Sequence, residues 1–363
     1  MTYASNIENP RTSIQYLAGQ VSPAVSLILI LLIISLVSSL FGTDLIQLAV
    51  IEMLVMVVVV VGLYMFIGNS GIVSFGHPVF MLLGAYCTAW LTLPVPFKQM
   101  NLPGLPLFLA GHQYNVFLAA IISGGFASVF AGVTGIVLMR LSGLAASMAM
   151  FCVLVVVHMV YANWDAVTLG LSSIVGLTTY VNVWVAFGWA AVAITVAYIY
   201  QSSRLGLALR ATREDEVAAE ASGIHIMRQR MVAFVLSAFF VGVGGALYGH
   251  YLGAISVSTF YITITFITLA MLVIGGMRSL CGAVMGTIVV SVFVELLREL
   301  ENGINLGGIA LTIPTYSQEL GLALLMILIL VFRPKGMMGD KELQWPLGIG
   351  MKRRLRIRER VEE

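Results

Sequence analysis

Charge is the scarcest commodity in this chain. Only 10% of its 363 residues are Asp, Glu, Lys or Arg, against about 25% in soluble domains. That scarcity excludes a soluble enzyme, a nucleic-acid binder and a disordered protein. Cysteine is rare too. Cys87, Cys152 and Cys281 all fall inside apolar runs, where cysteine behaves as a small hydrophobe rather than as a disulfide or redox group. None of the four lysines follows a glycine, so the chain has no G-x-x-x-x-G-K-[ST] phosphate loop and cannot hydrolyse ATP unaided. No histidine pair stands at metal-ligand spacing with carboxylates beside it, and no convergent catalytic set appears. No cofactor and no metal site are expected in this chain. The start, MTYASNIENPRTSIQYLAGQ, lacks a cationic lead into a short apolar stretch, so no cleaved signal is expected and the first span should act as its own insertion signal.

What the chain has in abundance is apolar length: 60% hydrophobic residues, with 36 glycines and 19 methionines. Spans are expected at 24–41, 45–67, 72–93, 116–138, 143–162, 181–200, 231–252, 260–276, 281–297 and 316–332, most of them long enough for a ~30 Å hydrocarbon core. The expected fold is an all-α polytopic membrane protein of about ten transmembrane helices. A segment at 1–23 precedes the membrane domain at 24–332, a polar loop interrupts it at 201–230, and a basic tail follows at 333–363. With ten spans and the N-terminus inside, every basic residue except Lys98 and Arg298 sorts to the cytoplasmic side, as the positive-inside rule requires. Under that topology the second and seventh spans run in opposite directions, and four spans follow from each start. Glycine punctuates both halves, in GNSGIVSFGHP (68–78) and GGMRSLCGAVMG (275–286). An inverted repeat with broken helices in corresponding places, meeting near the midplane, is therefore expected.

The loop 201–230 contains RATREDEVAAEASG (210–223). Thr212 and Asp215 suggest a capping box, and Gly223 suits a C-terminal cap, which together predict a helix of about nine residues. It reads either as a solvated connector or as a docking helix that passes on the motion of a soluble partner. Here the sequence resembles the permease subunits of branched-chain amino acid ABC transporters. The likeness is carried by GLALRATREDEVAAEASGIHIMRQRMVAFVLSAFFVGVGGALYG (206–249), SFGHPVFMLLGAY (74–86), LAMLVIGGMRSLCGAVMGT (269–287) and FRPKGMMG (332–339), in that family's loop, early helix, late helix and terminal signature.

The resemblance implies a type II-like importer architecture in the bacterial inner membrane, with both termini cytoplasmic. It implies a related permease subunit as heterodimer partner, two cytoplasmic ATPases that bind ATP and Mg, and an external solute-binding protein. Carried over by position, Arg213, Glu214, Ala218, Ala219 and Gly223 form the ATPase-coupling segment. The solute would be a branched-chain amino acid, or the urea, amide or small carboxylate carried by relatives. The outer loop 163–180 would face the binding protein, or simply connect spans. The basic tail at 351–360 is expected to meet anionic lipid.

Polar groups within apolar spans are costly and each needs an explanation. Ser74, Gly76 and His77 in one half, with Gly275, Gly276 and Ser279 in the other, are the candidates for a translocation pathway. The alternative for His77 is a hydrogen bond to a neighbouring helix. Glu52 should be protonated or paired. Glu295 and Arg298 have the spacing of an interfacial helical pair, and His158 and His250 are expected at outer interfaces. A rival function follows from the same residues: a proton- or ion-coupled secondary transporter using Glu52 or His77.

Overall fold

The computed structural model describes residues 10–302, 304–306, 309–311, 317–333 and 336–339. The basic tail at 351–360 and Lys335 lie outside these residues. The chain is built almost wholly of helices, in the order α1 (Pro10–Phe41), α2 (Asp44–Ser70), α3 (Pro78–Thr92), α4 (Val95–Asn101), α5 (Leu107–Ala110), α6 (Val116–Leu138), α7 (Gly143–Ala162), α8 (Asp165–Thr168) and α9 (Val183–Ser202). Then follow α10 (Arg204–Glu214), α11 (Glu216–Ala221), α12 (Ile226–Leu252), α13 (Ile262–Gly275), α14 (Leu280–Asn302) and α15 (Ser317–Phe332). Strands β1 (Ile174–Val175) and β2 (Ala254–Ile255) pair antiparallel, as do β3 (Ile304–Leu306) and β4 (Ile309–Leu311). This is an all-α polytopic membrane protein.

Eight of the described helices are long and apolar enough to cross a membrane, nine if α3 and α4, bent by 115° to one another, form one broken span. All ten apolar stretches of the sequence contain a helix, but three of these helices are shorter than expected. The helix α3 has 15 residues, α13 has 14 and α15 has 16, or about 21–24 Å at 1.5 Å per residue. In the expected span 72–93, helix begins only at Pro78, whose fixed φ and missing N–H suit a first helical position.

The core sits around α2 and α12. The stretch LVMVVVVVGLYMF (54–66) is apolar on every side, and a helix of that kind belongs in an interior. Every residue from Met53 to Ser70 is buried. α12 reaches close approach by having glycine where neighbours press in. A Cβ on Gly245 would overlap the Met81 carbonyl of α3, and one on Gly84 of α3 would overlap the Gly242 carbonyl of α12. Small residues at a helix contact let backbones pack in lipid, where no hydrophobic force drives helices together. Outside this core, α1, α6 and α7 bury only a third of their most apolar window.

α2 and α12 run antiparallel: Glu52 meets Tyr251, Val59 meets Gly244 and Gly62 meets Val241. Each has 27 residues and each ends on a left-handed glycine, Gly71 at φ 74° and Gly253 at φ 70°. The two Gly-punctuated breaks, however, fall at different steps of the two halves. The break at 71–77 follows the first helix of its half, whereas the one at 276–279 follows the second. The counterpart of 71–77 by position is 253–261, which the sequence reading did not single out.

Candidate functional site

At one end of the bundle α10 packs on α2, α9 and α12, and α11 packs on α12. The segment is two helices rather than one. Asp215 leaves helical geometry (φ −155°, ψ 111°), and its carboxylate accepts from the N–H groups of Val217 and Ala218. Asp215 is thus the N-cap of α11, and the expected capping box headed by Thr212 does not form. Thr212 is buried instead and donates to the Leu209 carbonyl. A hydroxyl three residues inside a helix finds a carbonyl of its own turn, while the acidic group at the break meets free N–H donors. Gly223 has φ 82°. Its N–H bonds to the Glu220 carbonyl, and the N–H of Ile224 bonds to that of Ala219, which makes a Schellman closure.

Two arginines brace this segment to the membrane core. Arg210 donates to Asn69 Oδ1 at 2.8 Å, to Gln201 Oε1 at 3.0 Å and to the Tyr64 hydroxyl at 3.2 Å. The Tyr64 hydroxyl itself donates to Gln201 at 2.7 Å. Arg213 donates to the Gly68 carbonyl at 2.6 Å, in the last turn of α2, where carbonyls lack helical partners and a cation is favoured by the helix dipole. Farther along, Arg230 of α12 pairs with Glu216. Arg213 also binds Glu214 at 2.8 Å, and that hydrogen bond holds the Glu214 carboxyl below the usual carboxylate range.

Of the residues expected in coupling, Ala219 is buried against the bundle, while Glu214, Ala218 and Gly223 are exposed. Val217, exposed at 79%, extends that outward face. Sequence reasoning missed the Arg210–Asn69–Gln201–Tyr64 cluster. Its signal was Asn69 and Gln201, amide side chains at the ends of two apolar helices that terminate on the same side.

The six expected pathway residues form no common lining. His77 is fully buried. Its Nδ1 meets Ser74 Oγ and its Nε2 meets Ser237 Oγ of α12 at 2.9 Å, inside a ring of Phe66, Phe80 and Phe234 with centroids 5.4–5.5 Å away. A Cβ on Gly76 would overlap the Met150 carbonyl of α7, and one on Gly275 would overlap the Gly282 carbonyl of α14. Gly276 turns the chain at φ 120°, and Ser279 caps α14 by accepting from Gly282 N–H at 2.9 Å. The two breaks do approach each other, through Gly68 and Met277, at the end that carries α10–α11 rather than at the midplane. The terminal motif closes the same end: Met337 and Met338 donate backbone hydrogen bonds to the Ile274 and Gly275 carbonyls.

Glu52 is paired. Its Oε2 accepts from Arg298 and from the Tyr251 hydroxyl, both at 3.2 Å, and Arg298 also holds Glu295 at 2.9 Å. His250 is not at a solvated interface. It is fully buried, with Nδ1 on the Thr178 carbonyl and Nε2 near the Thr88 and Thr92 hydroxyls. His158 is buried as well and stacks on Tyr261 at 3.9 Å. Both were misplaced because a histidine near a span end looks wet until the elements packed over it are known. Among the described residues no group of three or more His, Cys, Asp or Glu could hold a metal ion.

A bundle of apolar helices, a close-packed glycine core and a braced helical segment across one end define a polytopic membrane protein. The chain belongs to the family described as branched-chain amino acid transport system / permease component, whose profile matches residues 45–332. The high-affinity branched-chain amino acid transport system permease protein LivM of Escherichia coli (strain K12) is 33% identical over 134 residues, which cover 37% of this chain and 28% of that protein. The probable branched-chain amino acid transport permease protein LivH of Methanocaldococcus jannaschii is 22% identical over 264 residues, covering 69% of this chain and 79% of the relative. The nucleoside ABC transporter permease protein NupC of Lactococcus lactis is 35% identical over 106 residues, covering 29% of this chain and 33% of its own length. The match therefore spans little more than a quarter of the LivM relative. No solved structure matches the chain.

Proposed function

We propose that the chain is a membrane-spanning pore subunit of an ATP-driven importer for a branched-chain amino acid or a related small polar solute. In this reading it sits in the bacterial inner membrane with both termini cytoplasmic and pairs with a related permease. Two cytoplasmic ATPases bind ATP and Mg, and an external solute-binding protein delivers the solute. The observation that carries the reading is the α10–α11 segment. Its outward face offers Val217, Ala218 and Ala221 to a partner, and its inward face is held by Arg210 and Arg213 on α2. A push on that face reaches the core through hydrogen bonds to α2 and, by Gln201, to α9, which is what coupling requires.

The rival secondary transporter has less support. Glu52 is occupied by Arg298 and Tyr251, and His77 is enclosed by two serines and three aromatic rings.

The test is Ala218→Trp together with Val217→Asp, substitutions on exposed positions that spare the bundle. Spoiling a central contact of an interface costs ~2 kcal/mol or more, so solute-stimulated ATPase activity of the assembled transporter should collapse while membrane insertion persists. Full stimulation in both variants makes the segment a mere connector.

A further inference from the structure

Behind α10–α11 lies a cavity of about 460 Å³, within the 300–1,000 Å³ typical of small-molecule sites. One wall is apolar: Ile67, Ile72 and Met277. Charges of both signs line the rest: Arg213, Glu214, Glu216 and Arg278. Glu214 has Arg213 as its partner, whereas exposed Arg278 makes no ion pair among the described residues. Beside the cavity α7 begins at Gly143, and its N-cap residue Ser142 makes no side-chain capping bond. Gly143, the first residue of this 20-residue helix, lines the same cavity as Arg278, so the positive end of the helix dipole and a guanidinium lie beside one space, a combination that favours an anion.

We infer that this cavity is a cytoplasmic-face binding site for a zwitterionic aliphatic amino acid. The carboxylate goes to Arg278 and the start of α7, the ammonium to Glu214, and the side chain to Ile67, Ile72 and Met277. The inference rests on the reading above that the solute is a small amino acid, and gives that solute a second role. An occupied cavity wedges the segment that Arg213 ties to Gly68, so accumulated product restrains the coupling motion.

Equilibrium binding of radiolabelled L-isoleucine to the assembled transporter in lipid nanodiscs, without the solute-binding protein, tests it. Saturable binding is expected in the parent. Analogues lacking either the carboxylate or the ammonium should compete poorly. Arg278→Gln, a surface change, should weaken binding about tenfold, a loss of one charge-assisted contact, and Met277→Trp should abolish it by filling the space. In proteoliposomes preloaded with L-isoleucine, uptake should slow in the parent and slow less in Arg278→Gln. Binding that survives both variants places the site elsewhere and overturns the inference, as does an absence of saturable binding in a complex that transports isoleucine. A complex that imports no isoleucine instead overturns the functional reading, and the inference falls with it.

Discussion

One added carbon atom separates two roles for Gly76 and Gly275. If these glycines line a solute route, a larger side chain narrows it and leaves the fold alone. If they are packing contacts, the Cβ collides with backbone that cannot move away. The structure puts the Met150 carbonyl against Gly76 and the Gly282 carbonyl against Gly275, both on neighbouring helices. Forcing extra atoms into such a contact costs ~1–3 kcal/mol or more. Gly76→Leu and Gly275→Leu should therefore lower the yield of monodisperse protein in step with uptake. Normal yield with lost uptake would return both residues to the pathway. The sequence showed that Ser74, Gly76 and His77 needed an explanation, because polar groups and chain breaks are costly in an apolar span. It could not show what lay opposite. Ser237 is 160 residues from His77, and Ser147, which donates to the Val73 carbonyl in the same break, is 74 residues away.

Helices were easier to read than the stretches between them. Ten apolar runs gave ten helices, because a run of 15 or more apolar residues in lipid must close its backbone hydrogen bonds internally. The error was at 71–77, an apolar stretch that is not helical. In lipid such backbone survives only inside protein, and here Ser70 accepts the Ile72 N–H while Ser147 serves Val73. Periodicity says nothing about such borrowed partners. In α10–α11 both ends carried chemical marks, and one of the two was read correctly. Gly223 stands in the left-handed region at φ 82°, with open space around it, so a substitution there acts through backbone strain alone. An L side chain costs ~1–2 kcal/mol in that conformation. Gly223→Val should loosen the end of α11 and reduce solute-stimulated ATPase activity, whereas Gly223→Asn, which tolerates the conformation, should keep most of it. Equal loss in the two variants would mean that the glycine is needed for the surface it presents, not for its φ.

The orientation of the whole chain depends on where basic residues collect. The end that carries α10–α11 holds Arg140, Arg204, Arg210, Arg213, Arg228, Arg230, Arg278 and Arg333. Among the described residues the other end holds two cations, and both are engaged. Lys98 is fully buried and donates to the carbonyls of Leu91, Leu109 and His112 at 3.3, 3.0 and 2.8 Å. Arg298 is paired with Glu52 and Glu295. Eight basic residues against two is the asymmetry that the positive-inside rule reads. The end with α10–α11 should be cytoplasmic. Ser222 is exposed at that end and Leu171, exposed at 75%, at the other. Cys87 and Cys281 are buried, and only Cys152 is exposed, so Cys152→Ser provides a quiet background. In intact cells an impermeant maleimide should label Leu171→Cys and spare Ser222→Cys until the membrane is opened. Labelling of Ser222→Cys from outside would invert the molecule and take the docking face of α11 away from any cytoplasmic ATPase.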